Sequence, residues 1–345
     1  YYEWTERNCR TEKGKGLFYN TELGSGMDNT PRRNVGKSAW IDYSSQQALA
    51  ALNISKIAKV LNDTATQELY LKKHAEIKLT INSLLWNENT GFYYDLTEND
   101  TLSPTMHIGA FWTLLSQVCT NEKLSYMTTH LQNPDEFWRP HLVPTLAANQ
   151  PEYDEKGHYW LGGVWAPTNY MVIRGLMANN ELALADSIAF NHLRKVSDIY
   201  FNFKPKTENI AFNERYNDDY KTLWECYSPE LNEPATRWDN TFYSRQDFVG
   251  WSGLAPISLL IENVLGFDIA GKDNLINWNI KRTDKHGIKN IQLGNQKVTL
   301  IYEMIDNKPN INITCERPFK LKITFKNKDY IFDITNIETE INDLI

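Results

Sequence analysis

The sequence has few cysteines and no pattern in them. Cys9, Cys119, Cys226 and Cys315 are scattered through 345 residues without a CxxC pair, so neither a zinc site nor a disulfide framework is indicated. No apolar run approaches the roughly 20 residues of a membrane span. No block of Lys and Arg is long enough to follow a phosphate backbone and the net charge is -7, so nucleic acid is not an expected partner. The chain opens at Tyr1 without an initiator methionine or a signal peptide, which leads to the expectation of an upstream segment. The compartment stays open; a periplasmic or secreted location would follow if that segment were an export signal.

What is present is an ordinary globular composition, 41% hydrophobic and 23% charged, enough for one large domain or two smaller ones. Aromatics reach 12%, with 11 Trp and 18 Tyr, and many stand beside Asp, Asn, Gln or Glu. Flat rings next to hydrogen-bonding side chains suit sugars, whose C–H faces stack while their hydroxyls need directed partners; equally, the rings could build a large core.

Periodicity divides the chain in two. Residues 37–61 read as helix through Ile54, Ile57, Ala58 and Leu61, and 65–86 as a second through Ile77, Ile81, Leu84 and Leu85. Further helices are expected at 107–118, 121–131, 164–179, 181–200 and 249–265, the last closed by Gly266. After Asn274 the period becomes 2, with Ile311, Ile313, Cys315 and Leu321, Ile323, Phe325 on one face and turns at Gly294-Asn295, Asn307 to Pro309 and Asn327 to Asp329. Helices followed by strands, without alternation, predict a mainly α domain over 1–273 and a small antiparallel, sandwich-like β domain over 274–345. The β domain, whose apolar face needs a partner, is expected to pack on the helical one without supplying a catalytic group.

Four loop-rich segments carry candidate chemistry. "GSGMDNTPR", Gly24 to Arg32, sets one carboxylate, Asp28, in a run of glycine, serine, asparagine, threonine and proline. "YWLGGVWAPTNY", Tyr159 to Tyr170, places two Trp around a Gly-Gly; "LWECYSPE", Leu223 to Glu230, wedges Glu225 between Trp224 and Cys226; and "DFVGWSGLAP" enters the last helix. Glycosidic hydrolysis needs a protonated carboxyl on the leaving oxygen and a second carboxylate on the other face of the ring, and Asp28 and Glu225 are the best candidates. The residues alone leave alternatives open. Asp28 could be a turn or cap residue, and Glu225 could be half of an ion pair with Arg215 or Arg237. His107, His141 and His158 fit no familiar metal-ligand spacing and read as structural or substrate-contacting.

These segments resemble a known family. "GSGMDNTPR" is similar to the "ESGMDNSPR" of glycoside hydrolase family 63, in the clan that also holds the trehalases, whose equivalent reads ESGWD. "YWLGGVWAPTNYMVIRGL" resembles that family's "YWRGPVWxxxNYLxxxGL", and "WECYSPE" with "FVGWSGLAP" resembles its "ENYNPxTG … FGWS". "WIDYSSQQALAAL" and "LLWNENTGFYYDL" match intervening barrel helices, notably of the mannosylglycerate-hydrolase-like and trehalase-like bacterial members. The likeness runs in order from Tyr1 to about Phe267. It implies an (α/α)6 toroid and an inverting glycosidase, with Asp28 as general acid and Glu225 as general base. The implied substrate is a small α-linked sugar or a glycan end, cut from the end of the chain, with a mannosylglycerate-type or other α-glycoside specificity, or a catalytically inactive sugar binder, as alternatives. Neither step needs a metal or other cofactor. The family's Glu before "SG" is Gly24 here and the Arg of "WRGP" is Leu161, so a contact usual in the family is in doubt.

Trp40, Asp42, Gln46, Tyr159, Trp160, Trp165, Asn169, Tyr170, Trp224 and Trp251 are the candidates for substrate contact. Asp42 and Gln46, one helical turn apart, could both face the barrel mouth, or be a helix cap and a solvated Gln. About seven helices can be counted against the twelve that the resemblance implies, and the Asp28 motif lies midway along the family's barrel. The expectation is therefore the C-terminal part of an incomplete toroid.

Overall fold

A computed structural model describes residues 1–12, 15–206, 221–342 and 344. The architecture is mixed, with helices first and sheet after them, in two units, Tyr1–Ala255 and Pro256–Ile345. The helices of the first unit are α1 (Tyr2–Asn8), α2 (Glu22–Ser25), α3 (Ile41–Val60), α4 (Thr64–Leu84), α5 (Trp112–Leu115), α6 (Asn121–Gln132), α7 (Ala166–Ala178), α8 (Leu182–Asn202) and α9 (Val249–Ser252). A short hairpin of β1 (Trp86–Asn87) and β2 (Phe92–Tyr93) follows α4. The helices pack as sequence neighbours, α3 on α4 and α7 on α8, with α5 bridging α3 and α7.

Of the stripe expected on α3, only Ala58 is buried. Ile57 is 60% and Leu61 70% exposed, while Ala48, Ala51, Leu52, Ser55 and Ala58 are buried. α3 packs on α4, whose expected Ile77 and Ile81 are buried. Asp63 starts α4 by accepting from Thr66 N at 3.0 Å. In α8 the stripe is as read, from Ala185 and Ile188 through His192 to Val196. The helix expected over 107–118 is instead a 3-10 turn, Ile108–Phe111, running into α5, and Gln117 follows in a left-handed conformation at φ 58°. The last expected helix divides into α9 and a wide π-type turn, Ala255–Val264. Pro256, lacking an N–H, cannot carry an α-helical ladder through that point. Among the described residues no helix is long and apolar enough to cross a membrane.

The second unit holds β3 (Phe267–Ala270), β4 (Leu275–Ile280), β5 (His286–Leu293), β6 (Gln296–Ile305), β7 (Lys308–Cys315), β8 (Phe319–Phe325), β9 (Lys328–Ile334) and β10 (Glu338–Ile341). They form two four-stranded sheets, ordered β10-β7-β6-β5 and β3-β4-β8-β9. Pairing is antiparallel except between β4 and β8. The sheet takes in residues ahead of Asn274, because Phe267 pairs with Trp278. Asp306-Asn307 and Lys326-Asn327 all have positive φ, the two-residue turn whose twist suits tight hairpins. Trp278, Leu300, Tyr302, Ile313, Leu321 and Ile323 meet in one core.

One buried polar network fixes the first unit around the Asp28 loop. The Arg32 guanidinium donates to Asp42 Oδ2 at 2.5 Å and to Asp95 Oδ2 at 2.8 Å, and lies 4.1 Å from the centroid of the Trp40 ring. Asp42 Oδ1 accepts from Tyr43 N and Asp95 Oδ1 from Ile41 N, both at 2.8 Å, while His107 Nε2 lies 3.1 Å from Asp95 Oδ2. Burial pushes the Asp95 carboxyl up, but Arg32 and His107 outweigh it and hold its pKa at about 2. Removing the cation strands two carboxylates in the interior. Arg32→Met is therefore expected to cost about 3–5 kcal/mol in urea denaturation, and a loss under about 1 kcal/mol would contradict the network's role.

A second buried pair couples a loop to α8. His141 Nε2 lies 2.8 Å from His192 Nδ1, and Tyr227 packs against both rings. Burial lowers both pKa values, that of His192 to about 3, so both rings are neutral when folded. The unfolded chain takes up these protons first, beginning near pH 6.5, and so stability is full above that pH and is lost as pH falls through the folded values. The melting temperature is expected to drop between pH 6.5 and 5, above the carboxylate range, and the slope to flatten in His192→Leu. A flat wild-type profile would count against the neutral pair.

Candidate active site

The Asp28 loop is shaped by turns at both ends. Thr21 caps the one-turn α2, its Oγ1 accepting from Gly24 N at 3.0 Å, and Gly26 closes it at φ +73°. A Cβ on Gly24 would lie 2.4 Å from Asn20 Oδ1, so the glycine that replaces the family's Glu fits the local turn. Met27 and Thr30 are buried and leave Asp28 half-buried between them. Beyond it, Pro31 O accepts from Thr105 Oγ1 at 2.7 Å and Arg32 enters its network.

Facing the loop is a tight strap, His158 to Trp165. His158 and Tyr159 have positive φ, 28° and 64°, unfavourable for side chains of this size. Many bonds hold them there. Tyr159 N donates to Thr236 O at 2.9 Å, and Tyr159 O accepts from Gly163 N at 3.1 Å and Trp165 Nε1 at 3.2 Å. A Cβ on Gly163 would sit 2.2 Å from Tyr159 O, which explains the second glycine of the Gly-Gly pair. Trp160 and Trp165 stack at 4.2 Å, Tyr159 meets Trp165 edge-on at 4.8 Å, and Trp251 meets Trp165 at 5.6 Å.

Glu225 completes the group. Its backbone N–H donates to Arg245 O at 2.8 Å, and its carbonyl accepts from Trp251 Nε1 at 3.3 Å. Its carboxylate accepts from Tyr159 Oη at 3.2 Å and from Arg245 N at 3.5 Å. Burial raises the Glu225 pKa, and these donors restrain the rise while the charge of Asp28 adds to it. Burial also raises that of Asp28, opposed only by its own backbone N–H. Burial raises the Tyr159 hydroxyl's as well, followed by the charges of Glu225 and Asp28. The three groups share one electrostatic environment, and the two carboxyls differ in which protonation state their neighbours favour.

Asp28, Tyr159, Trp160, Trp165, Glu225 and Trp251 are thus gathered by the fold; of the other six candidates, four are engaged in networks or cores of their own. Trp40 and Asp42 belong to the Arg32 network, where Asp42 is 1% exposed and both its oxygens are engaged. Asn169 is fully buried on α7, donating to Val143 O at 3.3 Å. The Trp224 ring packs against Phe203 and Tyr243 in a small core with Val196 and Ile199. Gln46 and Tyr170 are half-buried on α3 and α7. Arg237 pairs with Asp239 at 2.5 Å, and Arg215 lies outside the described residues. His107 and His141 are buried in the networks above, while the His158 ring lies 3.0 Å from Trp238 O.

Two participants were not singled out from the sequence. Asn29 stands next to Asp28 and binds the strap through both ends of its amide. Arg245 contributes its main chain, for which a sequence holds no signal. Among the described residues no cluster of three or more His, Cys, Asp or Glu forms a metal site.

Comparison with known proteins places the chain in a family. The model of the mannosylglycerate hydrolase MGH1-like glycoside hydrolase domain matches residues 1–235. An uncharacterized protein of Borreliella burgdorferi is 29% identical over 330 residues, covering 95% of this chain and 66% of that protein. A probable mannosyl-oligosaccharide glucosidase of Schizosaccharomyces pombe is 22% identical over 191 residues, covering 52% of this chain and 24% of that protein. The chain therefore spans less than two thirds of the length of either relative. Among solved structures, a sialidase superposes with a TM-score of 0.65 at 13% identity over 88% of this chain and 27% of its own, a likeness of fold alone. The stretch matched by the family model runs through both Asp28 and Glu225, and the chain belongs to the mannosylglycerate hydrolase MGH1-like glycoside hydrolase domain family.

Proposed function

We propose that this chain carries the active site of an inverting, exo-acting α-glycosidase, with Asp28 as general acid and Glu225 as general base. The observation that carries the reading is that two partly desolvated carboxyls meet at Tyr159, the charge of Asp28 acting on Glu225 and both charges on the Tyr159 hydroxyl, in a strap whose Trp160 and Trp165 rings pack together with that of Trp251. Among the described residues Asp28 receives no donor that would favour its anion other than its own backbone, which suits a group that must keep its proton until the leaving oxygen takes it. Glu225 accepts two hydrogen bonds, which suits a carboxylate that must stay ionised and orient water. The helical pairs are read as part of an (α/α)6 toroid, with the site at its mouth and the indole faces offered to a sugar ring.

In the reaction, Asp28 gives its proton to the glycosidic oxygen as the C–O bond breaks. Glu225 removes a proton from water attacking the anomeric carbon on the opposite face. The sugar leaves with inverted configuration, so an α-linked substrate first releases the β anomer. The match to the MGH1-like model favours a small charged α-glycoside of the mannosylglycerate type as substrate. The curated relative described as a probable mannosyl-oligosaccharide glucosidase favours, as a second reading, an α-glucoside at a glycan end.

A panel of mannosylglycerate, trehalose, nigerose and kojibiose separates these readings, and sugar binding without turnover would mark an inactive relative. On the substrate that is cleaved, Asp28→Asn and Glu225→Gln are each expected to lower kcat about 10²–10⁴-fold while leaving binding nearly intact. NMR of the first-formed product is expected to show the β anomer. A crystal structure is expected to place the carboxyls about 6.5–9.5 Å apart; a separation near 5 Å, or the α anomer released first, would replace inversion with retention.

A further inference from the structure

The Asn29 side chain uses both ends of its amide on the strap: Nδ2 donates to His158 O at 3.0 Å, and Oδ1 accepts from Trp160 N at 2.9 Å. These two bonds bracket Tyr159 from either side. Only an amide of this length supplies a donor and an acceptor together, so neither Asp nor Leu would serve. Within the bracket Tyr159 is held at φ +64° by its bonds to Thr236 O, Gly163 N and Trp165 Nε1, a conformation that persists only because so many contacts determine it. Its ring packing on Trp165 would be met equally by Phe. The hydroxyl is the extra group, and it donates to Glu225 Oε1 at 3.2 Å.

We propose that Asn29 and Tyr159 are positioning residues: the Asn29 amide locks the strap to the loop that carries Asp28, and the Tyr159 hydroxyl at the centre of the strap holds Glu225. The distance and the difference in proton affinity between the two carboxyls are then set by one rigid bridge instead of by separate helices. The proposal rests on the catalytic reading above for its consequence in turnover, but its physical core, a coupling of Asn29 to Glu225 through the strap, can be measured without turnover. The charged and titratable groups acting on Glu225 are Asp28, Tyr159 and Arg245. Of these only Tyr159 is bound into the strap.

The test is a carboxyl-¹³C glutamate NMR titration of the whole chain, with the Glu225 signal assigned by its loss in Glu225→Gln. A hydrogen bond donated to the charged form favours that form, so Tyr159→Phe is expected to move the Glu225 titration to higher pH with little change in melting temperature. Asn29→Ala touches neither Glu225 nor the Tyr159 hydroxyl, yet is expected to move the same signal in the same direction as the strap loosens. Asn29→Ser gives the same reading should the alanine variant not fold. On whichever panel substrate the wild type cleaves, Tyr159→Phe is expected to lower kcat about 10- to 100-fold, to leave KM nearly unchanged, and to move the acidic limb of the kcat profile to higher pH. An unmoved Glu225 signal in Tyr159→Phe overturns the proposal, as does one moved by Tyr159→Phe but not by a folded Asn29 variant. A rise in KM at constant kcat would make Tyr159 a sugar contact instead and overturns it too. Retained turnover in Asp28→Asn or Glu225→Gln would remove the catalytic reading while leaving the titration result as it stands.

Discussion

The buried guanidinium of Arg32 is the constraint on which the Asp28 loop depends. It lies four residues beyond Asp28 and binds two carboxylates from different parts of the chain, Asp42 at the start of α3 and Asp95 after the β1–β2 hairpin. Burying three charges is unfavourable unless each is paired and its remaining hydrogen-bonding capacity is met. Here Tyr43 N, Ile41 N and His107 supply the two carboxylates with donors beyond the ion pairs. The result is a junction whose geometry has little freedom, because a shift of any member would leave a buried charge without its partner. The half-buried Asp28 projects from a loop that is otherwise fixed.

The same physics, used in the opposite sense, sets the character of Asp28 and Glu225. In the Arg32 network a cation outweighs burial and keeps Asp95 ionised. At the site burial is the largest influence on both carboxyls, and both hold protons more tightly than they would in water. The two are then distinguished by hydrogen bonds: Glu225 has donors from Tyr159 and Arg245 N, Asp28 only its own backbone. Aromatic packing supports that distinction mechanically. The stacked Trp160 and Trp165, with Tyr159 and Trp251 edge-on to Trp165, make the strap a rigid body in which one displaced ring disturbs the others.

The strap also accounts for residue choices that composition alone leaves unexplained. Gly163 is there because Tyr159 O occupies the space of a side chain, and Gly162 because its φ of +142° and the nearness of Asp154 O admit little else. Leu161, where the family has Arg, lies in the middle of this turn, half-buried. Gly163 departs from the family motif as well, which has Pro at that position, while Gly162 is shared.

The sequence by itself determined the order of helices and strands, α4 and α8 with their apolar faces, and the period-2 alternation of Leu321, Ile323 and Phe325 with its Asn-containing turns. These are local properties, in which a period of 3.6 or 2 and a residue tolerant of positive φ suffice. It also offered Asp28, the Tyr159 segment and Glu225 as candidates, with the resemblance to the family, not the residues alone, pointing to Asp28 and Glu225 as the acid and the base. Only the tertiary structure decided which neighbours those acids have. Asp42 reads as a barrel-mouth residue or a helix cap but is claimed by Arg32, and Trp224 stands beside Glu225 in the chain while its ring turns into a core with Phe203 and Tyr243. The buried face of α3 runs through Ala48, Ala51, Leu52, Ser55 and Ala58, and Ile57 and Leu61, read as apolar from their spacing, are exposed. The donors to Glu225 come from residues 66 positions before it and 20 after it in the chain, one of them a backbone N–H, and no spacing rule in one dimension encodes such a meeting.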